Sequence, residues 1–192
     1  MARIIHLLVA GALAFPGAAL AQPTSLTTTT FNLDGEAPKT CVLRSPDEAT
    51  LSVGEMVDPT SGELTRTLAS NASDQSTTIE NSWCNTASTI TVVATPMVAQ
   101  NFIGLPPPGF TKAINYKATV SGWATSNAVF VTSGDEAGFQ HSNTPGSQTL
   151  TTPNTATITI AIGNLASPSA GDFLVADKDY SGSVTLTLTP NP

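Results

Sequence analysis

The sequence predicts an all-β protein, an immunoglobulin-like β-sandwich, on three observations. Apolar residues recur at every second position in several segments, charged residues are scarce, and Gly and Pro punctuate the chain. Only 11% of the 192 residues are charged, and Ser and Thr supply much of the polar character. Hydroxyl side chains are poor formers of long exposed helices and sit well on strands. No window of helical length carries a 3.6-residue apolar stripe. Many short strands separated by turn residues place a two-sheet sandwich ahead of a barrel.

The first element is an address. Met1-Ala2-Arg3 leads into an apolar run from Ile4 to Leu13 broken only by His6, followed by Pro16 and the small-residue ending Ala19-Leu20-Ala21. Residues 1–21 therefore read as a Sec signal peptide cleaved before Gln22. The run is too short for a membrane anchor, which needs about 20 apolar residues. Residues 22–40 form an N-terminal extension containing Thr27-Thr28-Thr29-Thr30-Phe31-Asn32-Leu33. This run reads two ways, as a strand with no place in its own sheet or as a flexible Thr-rich linker.

Residues 41–192 are expected to form the domain. Weaker strand candidates are Ala49 to Val53, Glu63 to Leu68, Thr77 to Cys84 and Ala128 to Thr132. Ile90 and Val92 alternate, as do Ile114, Tyr116, Ala118 and Val120. The clearest strand is Thr155 to Ile162, with Ala156, Ile158, Ile160 and Ile162 on one side and threonines on the other. Ser183 to Thr189 repeats it, Val184, Leu186 and Leu188 facing in, and only Pro190-Asn191-Pro192 follows. Asp58-Pro59, Ser61-Gly62, Pro106-Pro107-Pro108-Gly109, Ser133-Gly134-Asp135, Pro145-Gly146 and Ser181-Gly182 supply turns between the strands.

The chemistry of the chain excludes more than it offers. Fourteen acidic side chains against seven basic ones make nucleic acid an improbable partner, because phosphate binding needs Lys and Arg. The two cysteines, Cys41 and Cys84, lie in an exported chain and are expected to form one disulfide. Beyond His6 the sole histidine is His141, in a polar loop. Gly-x-Ser-x-Gly, a phosphate loop and His-Glu-x-x-His are absent, so no enzyme, metal site or cofactor is expected. Asp172, Asp177 and Asp179 offer oxygen ligands for Ca²⁺ but lack the EF-hand spacing, and are read as an ordinary solvated turn. Trp83, Trp123, Tyr116 and Phe130 are candidates for a sugar-stacking platform, although alternation turns Tyr116 to the core.

A set of motifs resembles the spore coat protein U family, which includes subunits of archaic chaperone–usher pili. These are Cys41, Leu51-Ser52-Val53-Gly54, Asp58-Pro59, Trp83-Cys84-Asn85, Ile114-Asn115-Tyr116-Lys117-Ala118, Gly171-Asp172-Phe173, and the run from Tyr180 to Leu188. Val53 and Met56 stand where that family usually has aromatics. The resemblance implies an incomplete pilin-type sandwich, whose open groove is covered first by a periplasmic chaperone and then by the N-terminal strand of the next subunit. It implies a structural pilus subunit, exported through the periplasm and an outer-membrane usher to a surface fibre with a role in adhesion. In that scheme Thr27, Thr29, Phe31 and Leu33 point into a neighbour's groove. The rival reading is a monomeric secreted β-sandwich that binds a carbohydrate or surface ligand through its loops.

Overall fold

The computed structural model describes residues 29–62, 75–141 and 144–192, and none of these lies in a helix. No helix among them is long and apolar enough to cross a membrane. The signal-peptide reading, Thr27 and the strand expected from Glu63 to Leu68 lie outside the described residues. The chain divides into two units, Met1–Glu36 and Ala37–Pro192. In the first, residues 29–36 carry no strand, and Phe31 and Leu33 are 83% and 86% exposed.

Among its described residues the second unit has twelve strands: β1 (Cys41–Val42), β2 (Gln75–Cys84), β3 (Ser88–Ala94), β4 (Met97–Ala99), β5 (Phe110–Thr111), β6 (Ala113–Ser121), β7 (Ala128–Val131), β8 (Gly146–Leu150), β9 (Asn154–Ala166), β10 (Phe173–Leu174), β11 (Tyr180–Ser181) and β12 (Val184–Pro190). The larger sheet has the order β1-β2-β9-β6-β4-β11, with β7 also paired to β6. The smaller has the order β12-β3-β8. Among the described residues every ladder is antiparallel except the short parallel pair β5–β10.

Period-two patterning makes the two sheets face each other. Ile158, Ile160 and Ile162 of β9, Tyr116, Ala118 and Val120 of β6, and Ile90, Val92 and Ala94 of β3 join one apolar cluster. Hydroxyls on the opposite side of each strand face outward, so the arrangement is sandwich-like. At full burial each Ile or Val contributes about 1.5–3 kcal/mol.

Two bulges keep this patterning in phase. In β2 the register shifts between Ile79 and Ser82, and Asn81 between them has φ 54°. Three positions apart in a regular strand, Ile79 and Ser82 would face opposite sides, yet across the bulge both are buried, and Cys84 follows Ser82 inward. Across from β6, β9 shifts between the partners of Asn115 and Lys117, with Asn164 at φ 52° and Leu165 turned into the core. Asn fits both positions because it tolerates the left-handed region better than other side-chain residues.

The chain changes sheets twice at one corner. Between β3 and β4 it crosses at Thr95-Pro96, and between β11 and β12 at Gly182-Ser183. Thr95 N donates to Ser183 O at 2.9 Å and Ser183 N to Thr95 Oγ1 at 2.9 Å. A Cβ on Gly182 would stand 2.8 Å from Pro96 O, so this crossing needs glycine. Tyr116 reaches the same corner, its hydroxyl donating to Ser183 O at 3.0 Å.

One expected strand is absent. In the segment from Ala49 to Val53, Leu51 and Val53 are half-buried and Thr50 and Ser52 exposed. It pairs with no strand among the described residues, so the alternation is present without the ladder.

Candidate functional site

Cys41 and Cys84 are Cα partners across β1 and β2, 4.1 Å apart, and they form the disulfide. That bond and Asn85 fix the start of the second unit. Thr40 N donates to Asn85 Oδ1 at 2.7 Å, and Asn85 Nδ2 to Pro38 O at 2.8 Å. From there the chain runs beside β2. Arg44 N donates to Ser82 Oγ at 3.2 Å, Asp47 N to Thr78 O at 2.8 Å and Glu48 N to Thr77 Oγ1 at 3.0 Å.

Past Glu48 this companionship ends and a seam opens. The side chains of Leu43, Leu51, Val53, Met56 and Val57 rest half-buried on the core. Opposite them lies β12, which pairs with β3 on one edge and, among the described residues, with no strand on the other. The inner rows of the two neighbours differ. Ser88, Ile90, Val92 and Ala94 of β3 are all buried, whereas Val184, Leu186 and Leu188 of β12 remain half-exposed. At the Val184 end the seam widens into a cavity of about 470 Å³ floored by Thr77, Tyr116, Ile160 and Ile162. A larger cavity of about 890 Å³ lies on the other side of residues 50–57, walled by Met97 and the run from Leu174 to Tyr180.

The remaining candidates from the sequence fall into structural roles. Asp177 clamps a loop: its carboxylate accepts from Asn101 Nδ2 at 2.9 Å, Asn101 N at 2.7 Å, Phe102 N at 3.0 Å and Asp179 N at 3.0 Å. The Asn101 side chain, with those backbone amides, holds the Asp177 carboxyl below the usual carboxylate range. Asp58 is lowered in the same way by the amides of Thr60 and Ser61, and Glu136 by the Ser169 hydroxyl. No group of three or more His, Cys, Asp or Glu among the described residues is placed to share a metal ion. His141 is exposed.

Trp123, Tyr116 and Phe130 are buried at 3% exposure each, which removes them from any open sugar platform. Trp123 Nε1 donates to the buried Ser88 Oγ at 3.2 Å. Burial pushes the Tyr116 hydroxyl up to about 12, and burial with the nearby Asp177 charge does the same for Tyr180. Of the row Thr27, Thr29, Phe31 and Leu33, the three described residues are exposed and in no strand. The sequence reading missed Met97 and Tyr180 as walls of the seam. Its one signal for them was the turn Ser181-Gly182, which marks the crossing that brings them there.

Comparison with protein-family models, curated proteins and solved structures finds no match for this chain.

Proposed function

We propose that this chain is a structural subunit of an extracellular fibre, polymerised by donor-strand exchange between immunoglobulin-like sandwiches that each lack one strand. The observation that carries the reading is the half-covered row Val184, Leu186 and Leu188 beside the unpaired edge of β12. An open apolar edge of this kind invites a strand from another molecule. The seven residues from Thr27 to Leu33 equal β12 in length. Phe31 and Leu33 are the large apolar side chains available to fill the seam, at about 1.5–3 kcal/mol each, and ladder hydrogen bonds supply much of the remainder. Heterologous contacts that do not close a ring extend into a fibre. Export with a signal peptide, a periplasmic chaperone that shields the seam and an outer-membrane usher complete the reading.

The test is to express residues 22–192 and follow assembly by size-exclusion chromatography and electron microscopy. Polymer is expected from residues 22–192, and deletion of residues 22–33 abolishes it while leaving chaperone binding intact. A stable monomer from residues 22–192 that gains no polymer on long incubation overturns the proposal.

A second reading, surface-ligand binding through loops, draws on the loop after β4. Ile103 and Leu105 are 96% and 76% exposed on it, and Phe139 is 69% exposed on the turn beside it. Asp177 at its base and Lys112 Nζ, donating to Gly104 O at 3.0 Å, hold it in place. Ligand capture by a lasting monomer, lost on changing Ile103 and Leu105 to Ser, would favour this reading.

A further inference from the structure

The described part of the first unit, residues 29–36, holds the one Asp-Gly step in the chain, Asp34-Gly35. Both residues are exposed and lie in no strand. Neither the Asp34 carboxyl nor the Gly35 N–H has a hydrogen-bond partner among the described residues. A Cβ placed on Gly35 would meet nothing within 4 Å, so no neighbour restrains the backbone there. An aspartate side chain is long enough to close a five-membered ring on the nitrogen of the next residue, and a following glycine has no Cβ to obstruct that approach. Everything this ring closure needs is present at Asp34.

The other described aspartates each lack part of it. Asp58 precedes Pro59, which has no N–H to attack with. The Asp47 carboxylate accepts from the Thr78 hydroxyl, that of Asp135 from Ala137 N at 3.0 Å and Phe139 N at 2.9 Å, and Asp177 is clamped as described above. After Asp172 the nitrogen of Phe173 donates to Gly109 O at 3.0 Å, and after Asp179 comes Tyr180, paired in β11. We propose that Asp34-Gly35 is a site of spontaneous backbone isomerisation, which rewrites the extension with no enzyme and no co-reactant but water. The Gly35 nitrogen attacks Asp34 Cγ: the N–Cγ bond forms, the Cγ–OH bond breaks, and the hydroxyl leaves with the amide proton as water. Water then opens the succinimide at one of its two carbonyls. Opening at the main-chain carbonyl of Asp34 leaves Gly35 bonded to Cγ, an isoaspartate, with the former main-chain carbonyl as a free carboxylate. The main chain gains a methylene, so the side chains before and after Asp34 lose the period-two phase of a strand.

The experiment ages residues 22–192, purified as monomer, in neutral buffer at physiological temperature. Isoaspartate is mapped by mass spectrometry with electron-transfer fragmentation, which separates the two linkages of equal mass. It is expected to build up faster at Asp34 than at any other described aspartate, with a succinimide lighter by one water as the intermediate. Gly35→Ala should slow the reaction about tenfold, because the added Cβ hinders the attacking nitrogen. Asp34→Asn should speed it, since ammonia leaves the side-chain amide more readily than water leaves the carboxyl. Both positions are exposed and outside every strand, so neither variant threatens the fold. Isoaspartate at Asp34 forming no faster than at Asp135 or Asp177, or at a rate that Gly35→Ala leaves unchanged, overturns the proposal.

Discussion

Asn81 shows how much one residue decides. At φ 54° it supplies the extra step that returns Ser82 and Cys84 to the inner face of β2. A side chain without Asn's tolerance of the left-handed region loses about 1 kcal/mol there, so Asn81→Ala should lower stability by that amount in urea unfolding. Asn81→Gly should stay within about 0.5 kcal/mol of the wild type, because glycine adopts that backbone freely. Equal losses in the two variants would show that the bulge does not rest on this torsion. Titratable residues set the pH limits. Asp177, Asp58 and Glu136 have lowered folded-state pKa values, so the stability they add is fully present above their ordinary pKa and is lost as pH falls below it and through the lowered folded value. Asp177→Asn should flatten this acid decline and speed amide exchange at Asn101 and Phe102. Tyr116 works at the opposite end. Its neutral form is favoured in the fold, so stability declines as pH rises above 10, the ordinary value. In Tyr116→Phe the alkaline decline should be shallower, and the lost bond to Ser183 O should cost about 1 kcal/mol at neutral pH in thermal melts.

Among the elements, β9 and β12 carry the same alternating pattern but stand in different surroundings. Ile158 of β9 is at 0% exposure, with strands on both sides, whereas Leu186 of β12 is half-exposed on an edge. Truncating a fully enclosed side chain leaves a cavity, and Ile158→Ala should cost about 3–4 kcal/mol in the monomer. Leu186→Ala should cost about 1 kcal/mol, since much of its surface is already in water. In assembled fibre that gap should narrow, because a donor strand would bury Leu186. Monomer and polymer denaturation profiles of the two variants give the comparison, and an unchanged gap would argue that nothing covers β12.

For the molecule as a whole, the disulfide holds the first strand to the edge of the larger sheet. β1 has only two residues and could not hold that place by its own hydrogen bonds. Closing a loop of 43 residues restrains the unfolded chain by about 4 kcal/mol in the entropic account, and measured values run lower. Replacing both cysteines with Ser should therefore lower unfolding stability by about 2–4 kcal/mol and leave the seam open over a longer stretch. Loss of less than about 0.5 kcal/mol would mean that β1 is held by packing alone. The corner where Thr95-Pro96 and Gly182-Ser183 cross side by side ties the two sheets together at the other end, and it is what sets Met97 and Tyr180 beside the seam.

The sequence by itself determined the all-β class, the inner and outer faces of β6, β9 and β12, the cysteine pair and the turns, because alternation and turn chemistry are local properties of the chain. It also marked Ala49 to Val53 as strand-like, which holds for the side chains and fails for the hydrogen bonds. Only the tertiary structure decided which edges go unpaired, where Asn81 and Asn164 shift the register, and that Val184, Leu186 and Leu188 lie half-covered. A residue's own pattern fixes which way it faces, whereas the cover above it comes from segments distant in sequence that the fold brings together or leaves apart.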